Sequence, residues 1–335
     1  MEEVLNKVSE LINKSNNIPD EIRPIVKAIC RGYIRESKGK ISIEGIMNVC
    51  NTTFIKIDEN NQSFSGEEKI LGNTETNYDK ECNVTHKMSY INDSNYIKLI
   101  SILTHELGHV ITESKPCQIT KEGIYPLAKR TTTFYQNCQY HSAELRATKW
   151  YGFRMADGFL ESISTKIFAS PEFRQELLES GYDLKDYIYK DERIFQSRIY
   201  DEYKACFELF DYIMNDTLFE FSCMSFHSNE DLANYINKHR LNIIFEHLDR
   251  SNDLLWQLKK YEGKEYDEEF EEILKQYLEA KETSLNLAKV CLELYGKKED
   301  DKEFQRLYDN YTQTLNKQKQ LPIPKEYLKN NEHTL

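Results

Sequence analysis

The run SNYIKLISILTHELGHVITE, residues 94–113, restricts this chain more than any other stretch. Ile97, Ile100, Leu103, Leu107 and Val110 recur at helical spacing and form one broad apolar face. Asp93 or Ser94 can cap the N-terminus, and Lys115-Pro116 closes the segment. Inside it, His105 and His109 are four residues apart, so both imidazoles project from one side of the helix. That spacing suits two corners of a tetrahedral zinc site. Glu106 is rotated by about 100° from His105. It therefore stands beside the ion, where it can take a proton from zinc-bound water. Gly108 costs about 1 kcal/mol of helix propensity, and close packing of the backbone on a neighbour is the simplest reason for it. The competing reading is a surface helix with two solvated histidines.

A catalytic zinc needs a third protein ligand and an open position. Glu113 would follow the histidines up the same face, about 6 Å further along the axis, too far to close a tetrahedron. His141 and Glu144, in YHSAELRATKW, open a second helix expected over 141–166. They are three apart and share a face, so one can bind metal while the other orients ligand or substrate. Glu144 is the expected third ligand. Tyr140 and His141 are candidates for the donor that stabilises a developing oxyanion.

HELGH within SILTHELGHVIT, followed 35 residues later by Glu144, resembles the gluzincin pattern of zinc metallopeptidases. The resemblance implies His105, His109 and Glu144 as zinc ligands, one Zn2+ per chain, and Glu106 as general base. The HELGHV form also resembles the ImmA/IrrE-type metallopeptidases of bacteria, and ELRAT resembles clostridial neurotoxin light chains over a few residues. Many gluzincins carry an aspartate four residues after the glutamate, which supports the site without binding metal; this position is Thr148 here. The resemblance spans about residues 83–160. It implies a strand just before the zinc helix, THKMSYIN (85–92), as the cleft edge to which an extended substrate adds by strand pairing.

The rest of the chain reads as mostly helical. Residues 19–36 form a helix with Ile22, Ile25, Ile29 and Ile34 recurring along it. TTFIKID (52–58) and NVTHKMSYI (83–91) alternate as strands, the second with Val84, His86, Met88 and Tyr90 on one face. The polar stretch between them reads as loop, as does 115–140. Beyond 166, helices are expected over 171–190, 194–215, 229–261, 267–295 and 301–318, the last two able to pair as a hairpin. The fold class is therefore α+β and mainly helical. A zincin-like catalytic domain with a small sheet occupies residues 1–215, and a helical region 216–335.

A net charge of −12 disfavours nucleic acid. The first residues lack the basic-then-apolar pattern of a secretory signal, and no run reaches the roughly 18 apolar residues of a membrane span. Eight cysteines occur singly with no CxxC pair, as expected of reduced thiols in a cytoplasmic bacterial protein. The function expected is zinc-dependent hydrolysis of a protein or peptide substrate. A toxin or effector protease delivered without a classical signal is an alternative setting. A zinc-containing helical binding module without turnover is an alternative function. Residues 267–318 offer a helical partner or dimer contact.

Overall fold

The structure is a computed structural model that describes residues 1–57, 72–78, 84–91, 96–114, 117–120, 123–126, 131–132, 138–139, 148–149, 153–184, 198–224, scattered positions from 234 to 261, and 267–317. It is mainly helical with a small three-stranded sheet. The chain divides into two compact units. The first holds 1–150, 159–196 and 219–235; the second holds 151–158, 197–218 and 236–335.

The first unit begins with α1 (Glu2–Lys14), which sequence reasoning passed over. Its Leu5, Val8 and Ile12 are buried at spacings of three and four, the signature of a helix stripe masked by polar neighbours. Next, α2 (Arg23–Glu36) carries Pro24 in its first turn, where the missing N–H is no loss. Ile25, Ile29 and Ile34 are buried in it as expected. The short α3 (Ile43–Cys50) is capped by the Ser42 hydroxyl, which accepts from the Glu44 N–H.

The sheet has the order β1-β3-β2, with β1 at Thr53–Ile57, β2 at Gly72–Tyr78 and β3 at Val84–Ile91. β1 pairs parallel with β3 and β2 pairs antiparallel. Alternation in β3 is as read: His86, Met88 and Tyr90 are buried, while Thr85 is exposed. Two expectations are corrected. β3 is central rather than an edge, since β1 and β2 occupy its two sides over the same residues. Residues 72–78 are a strand rather than loop. GNTETNY carries little apolar signal because the strand lies at the sheet's margin, and its pairing with β3 decides its conformation.

α4 (Tyr96–Ile111) packs on β2, β3, α2 and α3. It is buried almost all round: from Ile100 to Ile111 only Glu106 and His109 keep partial exposure. The reading of a solvated surface helix is thereby excluded. Gly108 fulfils its packing role. A Cβ there would run into the Tyr33 hydroxyl and lie 2.6 Å from Leu160 Cδ2. Tyr33 also donates to the Thr104 carbonyl at 2.9 Å, tying α2 to α4.

After α4 the chain makes short paired strands: β4 (Glu113–Ser114) with β7 (Thr131–Thr132), β5 (Cys117–Thr120) with β6 (Gly123–Pro126), and β8 (Cys138–Gln139) with β9 (Thr148–Lys149). The expected helix 141–166 is corrected here. Thr148 and Lys149 are extended, and the helix, α5, runs Phe153–Ala169. The residues Trp150, Tyr151 and Gly152 before it are poor helix formers. α6 (Pro171–Glu179) packs on α2, where Glu176 is held by both Arg31 and Arg35.

In the second unit α7 (Arg198–Ile213) packs with the helices Glu268–Leu294 and Lys302–Lys317, both close to their expected bounds. These two touch through Lys281 Nζ to Asn316 Oδ1 at 2.9 Å and Lys289 over the Tyr308 ring. Tyr203, Leu258, Phe270, Leu274 and Tyr277 form a core there. Among the described residues no helix is long and apolar enough to cross a membrane.

Two outcomes follow from this packing. Gly108→Ala should lower stability by about 1–3 kcal/mol despite alanine's better helix propensity, read as a reduced urea midpoint with unchanged slope. Burial pushes the Cys291 thiol up to about 11. It should therefore resist iodoacetamide at pH 8 in the native chain and become alkylated once the protein is unfolded in urea.

Candidate metal centre

One turn of α4 places the paired imidazoles in register. His105 Nε2 and His109 Nε2 lie 3.2 Å apart, with the rings at 82° to one another. Two nitrogens each at roughly 2.0–2.1 Å from a tetrahedral zinc are about 3.3 Å apart. The spacing is therefore that of two ligands sharing one ion.

The other nitrogen of His105 has its own partner. Nδ1 lies 3.0 Å from Glu161 Oε1, and the Glu161 side chain is fully buried. A carboxylate at that distance favours the tautomer with its N–H on Nδ1, which would leave the lone pair on Nε2 to coordinate and restrict the ring's orientation. Glu161 comes from α5, brought close by the contact of Leu160 with Gly108.

Asp157 stands one helical turn before Glu161. Both acids belong to α5. Ligand atoms of His105, His109 and Asp157 all lie within 4.8 Å of one another. Asp157 is 2% exposed and Glu161 0%. Carboxylates are costly to bury unless positive charge or hydrogen bonds replace their hydration. A divalent cation between Asp157 and the imidazoles would lower that cost. The donor set, two imidazoles and a carboxylate with a carboxylate behind one histidine, fits zinc.

Glu106, half-buried beside this group, is held from the sheet. Thr74 Oγ1 lies 2.8 Å from its Oε2 and 3.2 Å from its backbone carbonyl.

Of the residues singled out from sequence, His105, Glu106 and His109 come together on α4 as expected. Tyr140, His141 and Glu144 lie outside the described residues. Glu113 leaves the helix, which ends at Ile111, and enters β4. Asp157 and Glu161 were missed. Their signal was present in MADGFLESIS: two acids four apart in a run whose Phe159, Leu160 and Ile163 are buried. Acids on a buried face need a partner.

Compared with known proteins, the chain matches no family model, no curated protein and no solved structure.

Replacing Glu161 by Gln should weaken zinc binding about 10- to 100-fold, measured by competition with a chromophoric chelator. Saturating zinc at a hundred times its Kd should raise stability by about 2.7 kcal/mol, seen as a higher melting temperature. Asp157→Ala should abolish most of that rise.

Proposed function

We propose that the chain is a zinc metalloendopeptidase with a zincin-like core, cutting protein or peptide substrates. One observation carries the reading. Two histidine Nε2 atoms sit at ligand spacing, one of them oriented by a buried glutamate, with a half-exposed glutamate next to them.

His105, His109 and Asp157 would hold the ion, and zinc bound there would polarise a substrate carbonyl and make a water more acidic. Glu106 and His109 are the two positions of this helix stretch that solvent reaches. Substrate therefore approaches on their side. Glu106 accepts one proton of the attacking water as its oxygen bonds to the carbonyl carbon. When the C–N bond breaks, the protonated Glu106 delivers that proton to the leaving amine. Glu161 keeps the His105 ring fixed throughout.

The gluzincin resemblance supports the same reading with one shift. That pattern sets a metal-binding acid four residues before a supporting acid. Asp157 and Glu161 have this spacing on one helix, whereas Glu144 is followed by Thr148. We assign the third ligand to Asp157 accordingly. The acidic balance of the chain favours substrates without strong negative charge, and the setting proposed remains the bacterial cytoplasm.

The test is digestion of a degenerate peptide library by the zinc-loaded full chain, read by mass spectrometry. Glu106→Gln should still bind about one zinc per chain yet cleave about 10²- to 10⁴-fold more slowly. Cleavage by Glu106→Gln at the native rate, or cleavage that persists in excess chelator, would reject the proposal.

A further inference from the structure

Glu106 is contacted by the sheet from two positions of β2, Gly72 and Thr74. Gly72 and Thr74 are two apart, so they lie on the same face of the strand. β2 packs against α4. At Thr74 the hydroxyl reaches Glu106 Oε2 at 2.8 Å, and Thr74 is itself 9% exposed. At Gly72 the missing side chain matters. A Cβ there would come 2.5 Å from Ile102 Cγ2, 3.0 Å from Glu106 Cγ and 3.3 Å from Glu106 Oε1. Any larger residue would push on the stem and on the second oxygen of the same carboxylate.

We propose that Gly72 and Thr74 form a seat for Glu106, with Thr74 as a positioning residue that fixes Oε2 and leaves Oε1 as the oxygen that takes the proton. This rests on the peptidase reading for its catalytic meaning, though the seat itself is a structural claim. A glutamate has three side-chain torsions. Half-exposed on a helix, it would sample several rotamers. A hydroxyl donor at one oxygen selects a single orientation before substrate arrives, which removes an entropic cost from the chemical step. The hydroxyl acts only on a group already committed to catalysis, so its loss should slow turnover without emptying the metal site.

β2 brings a further consequence. Gly72 pairs with Tyr90 and Thr74 with Met88, so the position of the carboxylate is set by the register of β2 on β3. A slip of one residue would turn Thr74 to the opposite face.

The experiment uses the full chain loaded with zinc, as native protein, Thr74→Val and Thr74→Ser. Valine keeps the shape of threonine and removes the donor; serine restores the donor. Thermal melts establish that each variant folds. Thr74→Val should bind about one zinc per chain and cleave the degenerate peptide library about 10- to 100-fold more slowly. Thr74→Ser should recover most of the rate. In crystals of the zinc-loaded variants, the Glu106 carboxylate should be displaced or multiply oriented in Thr74→Val and single in the native protein and Thr74→Ser. Native turnover in Thr74→Val, or an unmoved Glu106 carboxylate, overturns the seat. If the native chain itself cleaves nothing, the peptidase reading fails, and the crystallographic position of Glu106 alone then decides whether the seat stands.

Discussion

The centre depends on a buried carboxylate set against an imidazole. Glu161 is inaccessible to water, and its Oε1 lies 3.0 Å from His105 Nδ1. Burying an ionised acid is costly unless hydrogen bonds and positive charge replace its hydration. Here the partner is a ring whose opposite nitrogen points to His109. A cation held on Nε2, as proposed, would complete a single line of charge with the carboxylate and the ring, each member lowering the cost of burying the next. Asp157 adds a second buried acid to the same cluster.

That arrangement requires two helices to approach more closely than ordinary side chains allow. Gly108 permits it. With no Cβ, α4 accepts Leu160 of α5 and Tyr33 of α2 against its backbone. Gly32 does the same for α2, where a Cβ would meet Ile167 Cγ2 of α5 at 2.8 Å. The acids of α5 therefore reach the histidines because glycines on two other helices leave room. The sheet completes the setting from another side. It positions Glu106 through β2, and the outer strand of the sheet thereby acts on the same cluster that the helix pair builds.

Much of this was legible in the residues, and for identifiable reasons. α4, β1, β3 and the two long C-terminal helices have strong periodicity, and each appears within a few residues of its expected bounds. α1 was overlooked because three buried apolar residues are spread among charged ones. β2 was overlooked because GNTETNY has no apolar alternation. Both are elements whose conformation comes from what they pack against, and a local pattern carries little of that information. The start of α5 was misplaced for a related reason: Glu144, Leu145 and Ala147 favour helix locally, yet Thr148 and Lys149 pair with Cys138 and Gln139.

What the amino-acid sequence determined alone is the chemistry of one helical turn. The i,i+4 spacing of His105 and His109 follows from helix geometry and needs no other part of the chain, and Glu106 must stand beside them for the same reason. Tertiary structure decided the remainder: Asp157 and Glu161 beside the imidazoles, and Thr74 beside Glu106. Those partners are about 30 to 55 residues distant in the chain. Their approach depends on glycine-mediated helix crossing and strand register, which are properties of packing between elements and leave no periodic trace within any one of them.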